Sequence, residues 1–230
     1  MNWQTNSALI AVRNVARKAG LTKVIGRLRS GRMYEAAFDK ALFANLRDGD
    51  VVWDVGANVG YYTKRFAKVL GVHGKCIAFE PFPKTAEKLR VNLDGIKNCS
   101  LEVYALGASV GKVVMQEGGD DLGATNKIVE GQCSGVEVEI LTGDAIILEA
   151  RFEVPDVVKI DTEGFELDVL RGMSKLLQDP KLRALFIEVH FGLLAERGVP
   201  KAPVEIETLL KDAGFKTRWV DSSHIEALRG

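Results

Sequence analysis

The fold is decided by one short stretch, Val51-Val52-Trp53-Asp54-Val55-Gly56-Ala57-Asn58-Val59-Gly60. An apolar, β-branched run leads directly into small residues, and a helical pattern with Phe66 and Leu70 on one side follows. Glycine at positions 56 and 60 keeps the turn free of side-chain bulk. The order predicts a buried strand, a tight turn and a helix, the arrangement that brings backbone close to a ligand in open α/β sheets.

The glycine spacing in this turn separates two classes of nucleoside cofactor. Dinucleotide sites favour Gly-x-Gly-x-x-Gly, with the pyrophosphate at the helix N-terminus. Here Asn58 and Tyr61 occupy the second and third glycine positions, which disfavours a diphosphate. S-adenosylmethionine (SAM) carries an amino acid and a sulfonium instead. Asp54, near the strand end, is a candidate partner for its ammonium group, directly or through water.

The second predicted strand ends at another acid. Lys75–Phe79 is followed by Glu80, and Pro81 ends the strand. An acid at this place accepts hydrogen bonds from both ribose hydroxyls of a bound nucleoside. NAD enzymes use the same contact, so Glu80 predicts a ribose-binding site but does not distinguish SAM from NAD.

From residue 51 onward, β-branched runs alternate with helical patterns, which predicts an α/β sheet of parallel units. Parallel strands are expected at Val51–Val55, Lys75–Phe79, Ser100–Ala105, Val157–Asp161 and Ala184–His190. Helices are expected at Val59–Leu70, Lys84–Leu93, Glu166–Leu177 and Pro203–Ala213. The runs Phe215–Val220 and His224–Leu228 predict a closing antiparallel pair. The result is a seven-stranded, mostly parallel sheet.

One segment breaks this alternation. Lys112–Met115 and Val136–Ile140 alternate as edge strands do, around the Gly- and Asp-rich segment Gly118–Asn126. The pattern predicts a hairpin insertion, whose tip is a candidate lid over the second substrate.

The N-terminus differs from the rest of the chain in charge. The 230 residues carry no net charge, yet Met1–Met33 holds seven Lys or Arg residues and no acid. A basic segment could contact an anionic membrane surface, a nucleic acid or a phosphorylated substrate. The alternative is a helix over Ser7–Ala19 that packs its apolar side and leaves its cations in solvent. We expect a helical extension over 1–48 and one domain over 49–230, with no nucleic-acid partner because the cations are too dilute.

Other composition features exclude several classes. No apolar run approaches the roughly 20 residues that cross a bilayer, and no secretory signal is recognisable, so a cytoplasmic protein is expected. The three cysteines, Cys76, Cys99 and Cys133, lack the spacing of a disulfide framework or a zinc site.

Five motifs together resemble the FkbM-type methyltransferases, a SAM-dependent family with the class I Rossmann-like fold. They are Asp54–Gly60, Phe79-Glu80-Pro81, Ala105-Leu106-Gly107, Lys159-Ile160-Asp161-Thr162-Glu163-Gly164-Phe165-Glu166 and Glu188-Val189-His190. The resemblance spans roughly Asp50 to Phe215 and implies O-methylation, often of sugar hydroxyls. Together with the turn, it gives a set of candidate cofactor residues: Asp54, Gly56, Ala57, Asn58, Gly60, Glu80, Ala105 and Asp161.

Four ionisable residues fall at the carboxyl ends of the last two predicted parallel strands, namely Asp161, Glu163, Glu188 and His190. Ligands of open α/β sheets collect at this edge. Methyl transfer needs an aligned acceptor and a base that removes its proton. An imidazole titrates in the working range, so His190 is the predicted base, oriented by Glu188 or Asp161. The alternative is a structural histidine at a strand end.

A metal-assisted route is the second hypothesis for this edge. Asp161, Glu163 and His190 could hold Mg²⁺ or Mn²⁺, which would polarise the acceptor hydroxyl. We favour the metal-free base. Glu163 and Glu166 also have a simpler interpretation, because acids in the first turn of a helix stabilise its positive end.

The sequence therefore predicts a SAM-dependent O-methyltransferase that acts on a hydroxyl of a small molecule or glycan. Two alternatives stay open: an NAD(P)-dependent oxidoreductase or epimerase on a Rossmann fold, and a non-catalytic SAM-binding module. The residues do not identify the acceptor or the oligomeric state.

Overall fold

A computed structural model describes residues 31–116, 127–129 and 135–230. The strands, in chain order, are β1 (Val51–Val55), β2 (Lys75–Phe79), β3 (Cys99–Glu102), β4 (Ala105–Leu106), β5 (Gly111–Gln116), β6 (Lys127–Val129), β7 (Val136–Leu141), β8 (Val157–Ile160), β9 (Ala184–Glu188), β10 (Phe215–Trp219) and β11 (His224–Arg229). The α-helices are α1 (Gly31–Ala44), α2 (Tyr61–Leu70), α3 (Pro83–Asn92), α4 (Gly143–Leu148), α5 (Glu166–Arg171), α6 (Phe191–Glu196) and α7 (Ala202–Asp212), with a 3₁₀ turn at Leu176–Gln178.

Seven strands form the main sheet in the order β10-β11-β9-β8-β1-β2-β3. The five strands from β9 to β3 are parallel, and β10 and β11 close the sheet as antiparallel neighbours. Strand β1 is buried along its whole length between β8 and β2, as an apolar run in a doubly covered parallel sheet should be. The predicted class I architecture is confirmed.

Helices cover both faces of this sheet because successive residues of β1 point to opposite sides. Trp53 packs in a core with Leu167 and Leu170 of α5, whereas Val52 packs in a second core with helices α1 and α2. Helix α1 contributes Phe38 and Leu42 to that second core. The edge where β1, β2 and β8 end is left uncovered by these layers and carries the site.

The insertion is a second, four-stranded sheet in the order β4-β7-β5-β6. The predicted pairing of Lys112–Met115 with Val136–Ile140 is confirmed by the antiparallel β5–β7 ladder. The strand predicted over Ser100–Ala105 is wrong at its end, because the chain leaves the main sheet after Glu102 and Ala105 pairs with Ile140 of β7. The tip predicted to act as a lid, Gly118–Asn126, lies outside the described residues.

Two glycines are in close contact where the second sheet meets the main domain. A Cβ on Gly172 would lie 1.9 Å from the carbonyl oxygen of Gly107, so the two backbones touch. This contact falls inside the helix predicted over Glu166–Leu177, which instead ends at Arg171 and resumes as a 3₁₀ turn. The helix predicted from Val59 begins at Tyr61, after Gly60 with its positive φ of 87°.

The basic segment up to residue 30, including the helix predicted over Ser7–Ala19, lies outside the described residues. The division of the chain at residue 48 and a membrane-surface contact stay predictions. Within the described ranges, no helix has the length and apolarity needed to cross a membrane.

Candidate active site

A cavity opens at the carboxyl ends of β1, β2 and β8. Its wall is formed by Val55, Gly56, Asn58, Phe79, Glu80, Pro81, Tyr104, Ala105, Leu106, Met115, Asp161, Thr162, Glu163 and Phe165. The second sheet supplies part of this wall through β4 and β5. The cavity therefore lies between the turn after β1 and the second sheet.

The turn after β1 is held close to the loop after β8. Gly56 has a φ of +79°, and a Cβ at this position would lie 1.8 Å from the carbonyl oxygen of Asp161. The backbone N–H groups of Gly56 and Ala57 both donate to the carbonyl oxygen of Phe79, at 3.0 Å. Glycine is required here for two reasons, the positive φ and the close backbone approach.

Glu80 is fixed by backbone donors. Its two carboxylate oxygens accept hydrogen bonds from the N–H groups of Asn58 and Phe82, each at 3.0 Å. Burial is the largest influence on this carboxyl and raises its pKa to about 7, although the two hydrogen bonds oppose the shift. The oxygens keep further lone pairs that a ligand hydroxyl can use.

A buried lysine links the two loops. Lys159 Nζ lies 3.4 Å from Asp54 Oδ1 and 3.2 Å from Asp161 Oδ2, and it donates to the carbonyl oxygen of Gly56 at 3.4 Å. Burial lowers the pKa of Lys159, but Asp161 and Asp54 outweigh that effect and the pKa is raised. Lys159 therefore carries a positive charge beneath the cavity floor, and Asp54 is fully buried against it.

His190 lies among carboxylates. Its Nδ1 donates to Glu166 Oε1 at 2.8 Å, while Nε2 faces Glu163 Oε2 at 3.4 Å and Asp161 Oδ1 at 3.7 Å. Glu188 is more distant, with Oε1 4.0 Å from Nε2. The predicted base is thus brought together with Asp161 and Glu163, but its orienting partner is Glu166.

The carboxylates raise the pKa of His190 strongly. Burial alone lowers this pKa, but the hydrogen bond and charge of Glu166, followed by the charges of Asp161 and Glu163, raise it to about 10. The pKa of Asp161 is lowered. Burial raises this pKa, but the positive charges of Lys159 and His190 outweigh that effect. Burial raises the pKa of Glu163 to about 7 against the opposing charge of His190. At neutral pH the unliganded site holds an imidazolium.

A second histidine continues this network. His224 of β11 is buried, and its Nδ1 lies 2.7 Å from Asp221 Oδ2 and its Nε2 3.4 Å from Glu188 Oε2. Its ring also stacks on Phe38 of α1 at a centroid distance of 4.1 Å. Burial lowers the pKa of His224, but Asp221 and Glu188 raise it to about 9. Glu188 is therefore placed between two imidazoles and lies nearer to His224.

Comparison with known proteins identifies the family. Residues 54–217 match the Methyltransferase FkbM domain. The chain belongs to the FkbM methyltransferase family. The predicted family and enzyme class are confirmed, and the oxidoreductase alternative is removed.

Several known proteins are similar to this FkbM domain in sequence or in fold. Hexuronic acid methyltransferase AglP of Haloferax volcanii is 29% identical over 180 residues, which cover 77% of this chain and 68% of AglP. The crystal structure of methyltransferase FkbM from Methylobacillus flagellatus has a TM-score of 0.55 at 14% identity, over 79% of this chain. This chain covers 44% of that structure. Fibrillarin of Aeropyrum pernix, solved with bound SAM, shares the fold with a TM-score of 0.50 at 14% identity, over 83% of this chain and 74% of its own.

The predicted cofactor residues of this FkbM methyltransferase fall into two groups. Those that line the cavity are Gly56, Asn58, Glu80, Ala105 and Asp161. Behind the lining lie Asp54, Ala57 and Gly60. Ala57 packs with Ala78 and Leu89, and a Cβ on Gly60 would lie 2.4 Å from Leu89 Cδ1. Their placement suits them to shape the turn.

The alternative metal ligands are also brought together. One oxygen of Asp161, one oxygen of Glu163 and one ring nitrogen of His190 lie within 4.8 Å of one another. Glu163 adopts a positive φ of 49°, and Gly164, with a φ of 94°, leaves room for Leu193. This short loop turns the Glu163 side chain toward His190.

Sequence reasoning missed three members of the network. Lys159 is two residues before Asp161 and so lies on the same face of β8, a signal that the alternation of a strand provides. Glu166 is the last residue of the Lys159–Glu166 motif, but its place at the start of a helix predicts only a helix-stabilising acid. His224 lies in the closing strand pair, far from the motifs, and its sequence context gives no sign of its contact with Glu188.

Proposed function

We propose that this protein transfers the methyl group of SAM to a hydroxyl oxygen of a carbohydrate, with a hexuronic acid as the first acceptor to test. The observation that carries the proposal is one cavity lined by Gly56 and Glu80 on one side and by Asp161 and Glu163 on the other. The FkbM family supports methyl transfer, and the similarity to a hexuronic acid methyltransferase supports the choice of sugar.

Glu80 and the turn at Gly56 are proposed to bind the nucleoside end of SAM. Backbone N–H groups hold both Glu80 oxygens in place, and an ionised Glu80 can accept from the two ribose hydroxyls. Asp161 lines the cavity, so it is the nearer acid for the SAM ammonium group. Asp54 would act on the cofactor through Lys159 and the Gly56 backbone.

The reaction does not require the protein to form a covalent bond with the substrate. The acceptor oxygen attacks the methyl carbon in line with the sulfonium, the C–S bond breaks as the O–C bond forms, and the acceptor proton must leave. SAM supplies the activated leaving group. The protein contributes alignment and a proton acceptor.

The acceptor proton is proposed to pass to the Glu163–His190 pair. His190 alone, the predicted base, is protonated at neutral pH because its pKa is about 10. Glu163 lines the cavity, and its pKa of about 7 suits reversible proton uptake. Asp161 then compensates the imidazolium charge, while Glu188, the other predicted partner, lies 4.0 Å from the ring.

Calorimetry and mass spectrometry test this function. SAM should bind with at least micromolar affinity, and preferential binding of NAD(H) would contradict the proposal. Glucuronic acid and glucose form a matched acceptor pair, of which the acid should gain one methyl group. Stability of that methyl group to mild alkali identifies an ether at a hydroxyl, whereas a labile methyl ester would move the acceptor atom to the carboxylate. SAM binding without transfer to any sugar supports the non-catalytic alternative.

A further inference from the structure

The donor atoms of Asp161, Glu163 and His190 are spaced like the ligands of a small cation. His190 Nε2 lies 3.4 Å from Glu163 Oε2 and 3.7 Å from Asp161 Oδ1. Ligands on adjacent corners of an octahedron with bonds of about 2.1 Å are about 3 Å apart. All three donor atoms lie within 4.8 Å of one another, close enough for side-chain movement to bring them around one ion.

An independent feature points to a metal at the same nitrogen. The other ring nitrogen, Nδ1, donates to Glu166, whose side chain is fully buried. Metal-binding histidines almost always donate their second N–H group to a carboxylate in this way, which fixes the ring and raises its basicity. None of the described residues donates a hydrogen bond to Glu166 Oε2. The buried charge of Glu166 therefore favours a positive group on the far side of the imidazole.

The local charge also favours a cation. Four carboxylates surround the imidazole, those of Asp161, Glu163, Glu166 and Glu188. Lys159 approaches Asp161 but is also engaged by buried Asp54. The donor side chains keep 18% to 34% of their surface exposed, so an ion can reach them from the cavity.

We propose that Asp161, Glu163 and His190 bind one divalent cation of the Mg²⁺ or Mn²⁺ class at the acceptor end of the cavity. Two carboxylates with one imidazole suit these hard ions. The cation and the proton compete for the same atoms, so the Glu163–His190 pair accepts a proton only in the cation-free site.

The cation would help to bind the acceptor. This part of the inference rests on the proposed function, in which the acceptor is a hexuronic acid. A hexuronic acid brings its own carboxylate into a site that already holds several. Without a cation, like charges oppose its binding. A divalent ion on Asp161 and Glu163 offsets two of the negative charges and offers open positions to the oxygens of the sugar.

Electron paramagnetic resonance of Mn²⁺ tests the site without SAM, an acceptor or turnover. The full chain is stripped with a chelator and titrated with Mn²⁺. We expect one saturable site per chain, and electron spin echo modulation from a directly bound nitrogen. Glu163→Gln and His190→Gln should abolish saturable binding, and Glu166→Gln should weaken it by about 10-fold or more. Glu205→Gln, an exposed carboxylate paired with Arg171, is the matched control and should bind as the parent does.

Two results would overturn the site: no saturable Mn²⁺ binding below millimolar concentration, or binding that keeps its affinity and nitrogen signal in His190→Gln. Cooperative thermal unfolding of each variant verifies that it is folded. Because the titration needs neither methyl donor nor sugar, loss of the cation site and failure of methyl transfer are separate outcomes.

Discussion

The two halves of the cavity are built from different materials. The half proposed to bind the cofactor is formed mainly by backbone: Gly56 lacks a side chain where Asp161 approaches, and backbone N–H groups hold Glu80. The half proposed to bind the acceptor consists of charged side chains, with His190 surrounded by carboxylates. The cofactor half is assembled mainly from the segment between residues 51 and 81, whereas the acceptor half needs contacts between distant segments. Backbone conformation therefore determines the geometry of the first half, and the charges of the side chains determine the properties of the second.

Gly56→Ala should break this division, because the new Cβ would collide with the carbonyl oxygen of Asp161 and so displace both halves. We expect SAM affinity to fall by about 100-fold or more, since a displacement of about 1 Å in a site can cost that much. Calorimetric titration of SAM measures the loss. Gly95→Ala is the matched control, because Gly95 has a φ of +76° but its added Cβ would meet nothing within 4 Å. Equal losses in both variants would show that strain at positive φ, and not the contact with Asp161, limits the turn.

Glu166→Gln should damage the acceptor half alone. The neutral amide weakens the hydrogen bond that orients His190, and we expect kcat to fall by about 10- to 100-fold. SAM affinity should stay within about twofold, because Glu166 does not line the cavity. Steady-state kinetics combined with calorimetry separates the two quantities. A parallel loss of SAM affinity would show that the halves are not independent.

Glu80→Gln should affect the cofactor half alone and remove a pH dependence. With a pKa of about 7, Glu80 is mostly neutral at pH 6 and mostly ionised at pH 8, and the ionised form accepts ribose hydroxyls better. SAM affinity of the parent should therefore rise by about 10-fold from pH 6 to pH 8. The variant should bind weakly at both values. Glu163→Gln should keep the rise; if it abolishes the rise instead, Glu163 is the titrating group.

The smallest effect concerns stability. His224 and His190 have pKa values raised to about 9 and about 10 in the folded protein, so their stabilisation is complete below the unfolded value near 6.5 and is lost as pH rises toward those values. We expect Tm to fall by about 3–6 °C between pH 6.5 and pH 9.5. The fall should shrink in His224→Gln and persist in His73→Gln, whose parent side chain is exposed. An unchanged fall in His224→Gln would contradict the assigned network.

Much of the main sheet could be predicted because its order follows local patterns. The run Val51–Val55 and the alternation after it gave the parallel strands, and their topology placed Glu80 and Asp161 at one edge. The errors occurred where contacts with distant parts of the backbone determine the end of a helix or strand. Gly172 ends α5 because Gly107 touches it, and Ala105 leaves the main sheet because Ile140 pairs with it. Neither partner can be recognised from the residues beside it.

The sequence predicted which residues meet at the site, but not which of them contact one another. Asp161, Glu163 and His190 were expected at one edge, and the structure brings them together. His190 is held by a hydrogen bond that it donates to Glu166, an acid that an ordinary helix start would also contain. Glu188 could not be assigned to His224 because the partner depends on where β11 joins the sheet.

The contact between Gly107 and Gly172 also suggests where a segment of this enzyme could be exchanged. The second sheet contributes Ala105, Leu106 and Met115 to the cavity wall, and beside it the backbone of Gly107 touches Gly172 just after α5. A chimera that keeps residues 105–107 and 141–143 as fixed junctions and exchanges the segment between them for that of another family member would preserve this contact. Such grafts test whether this segment selects the proposed acceptor.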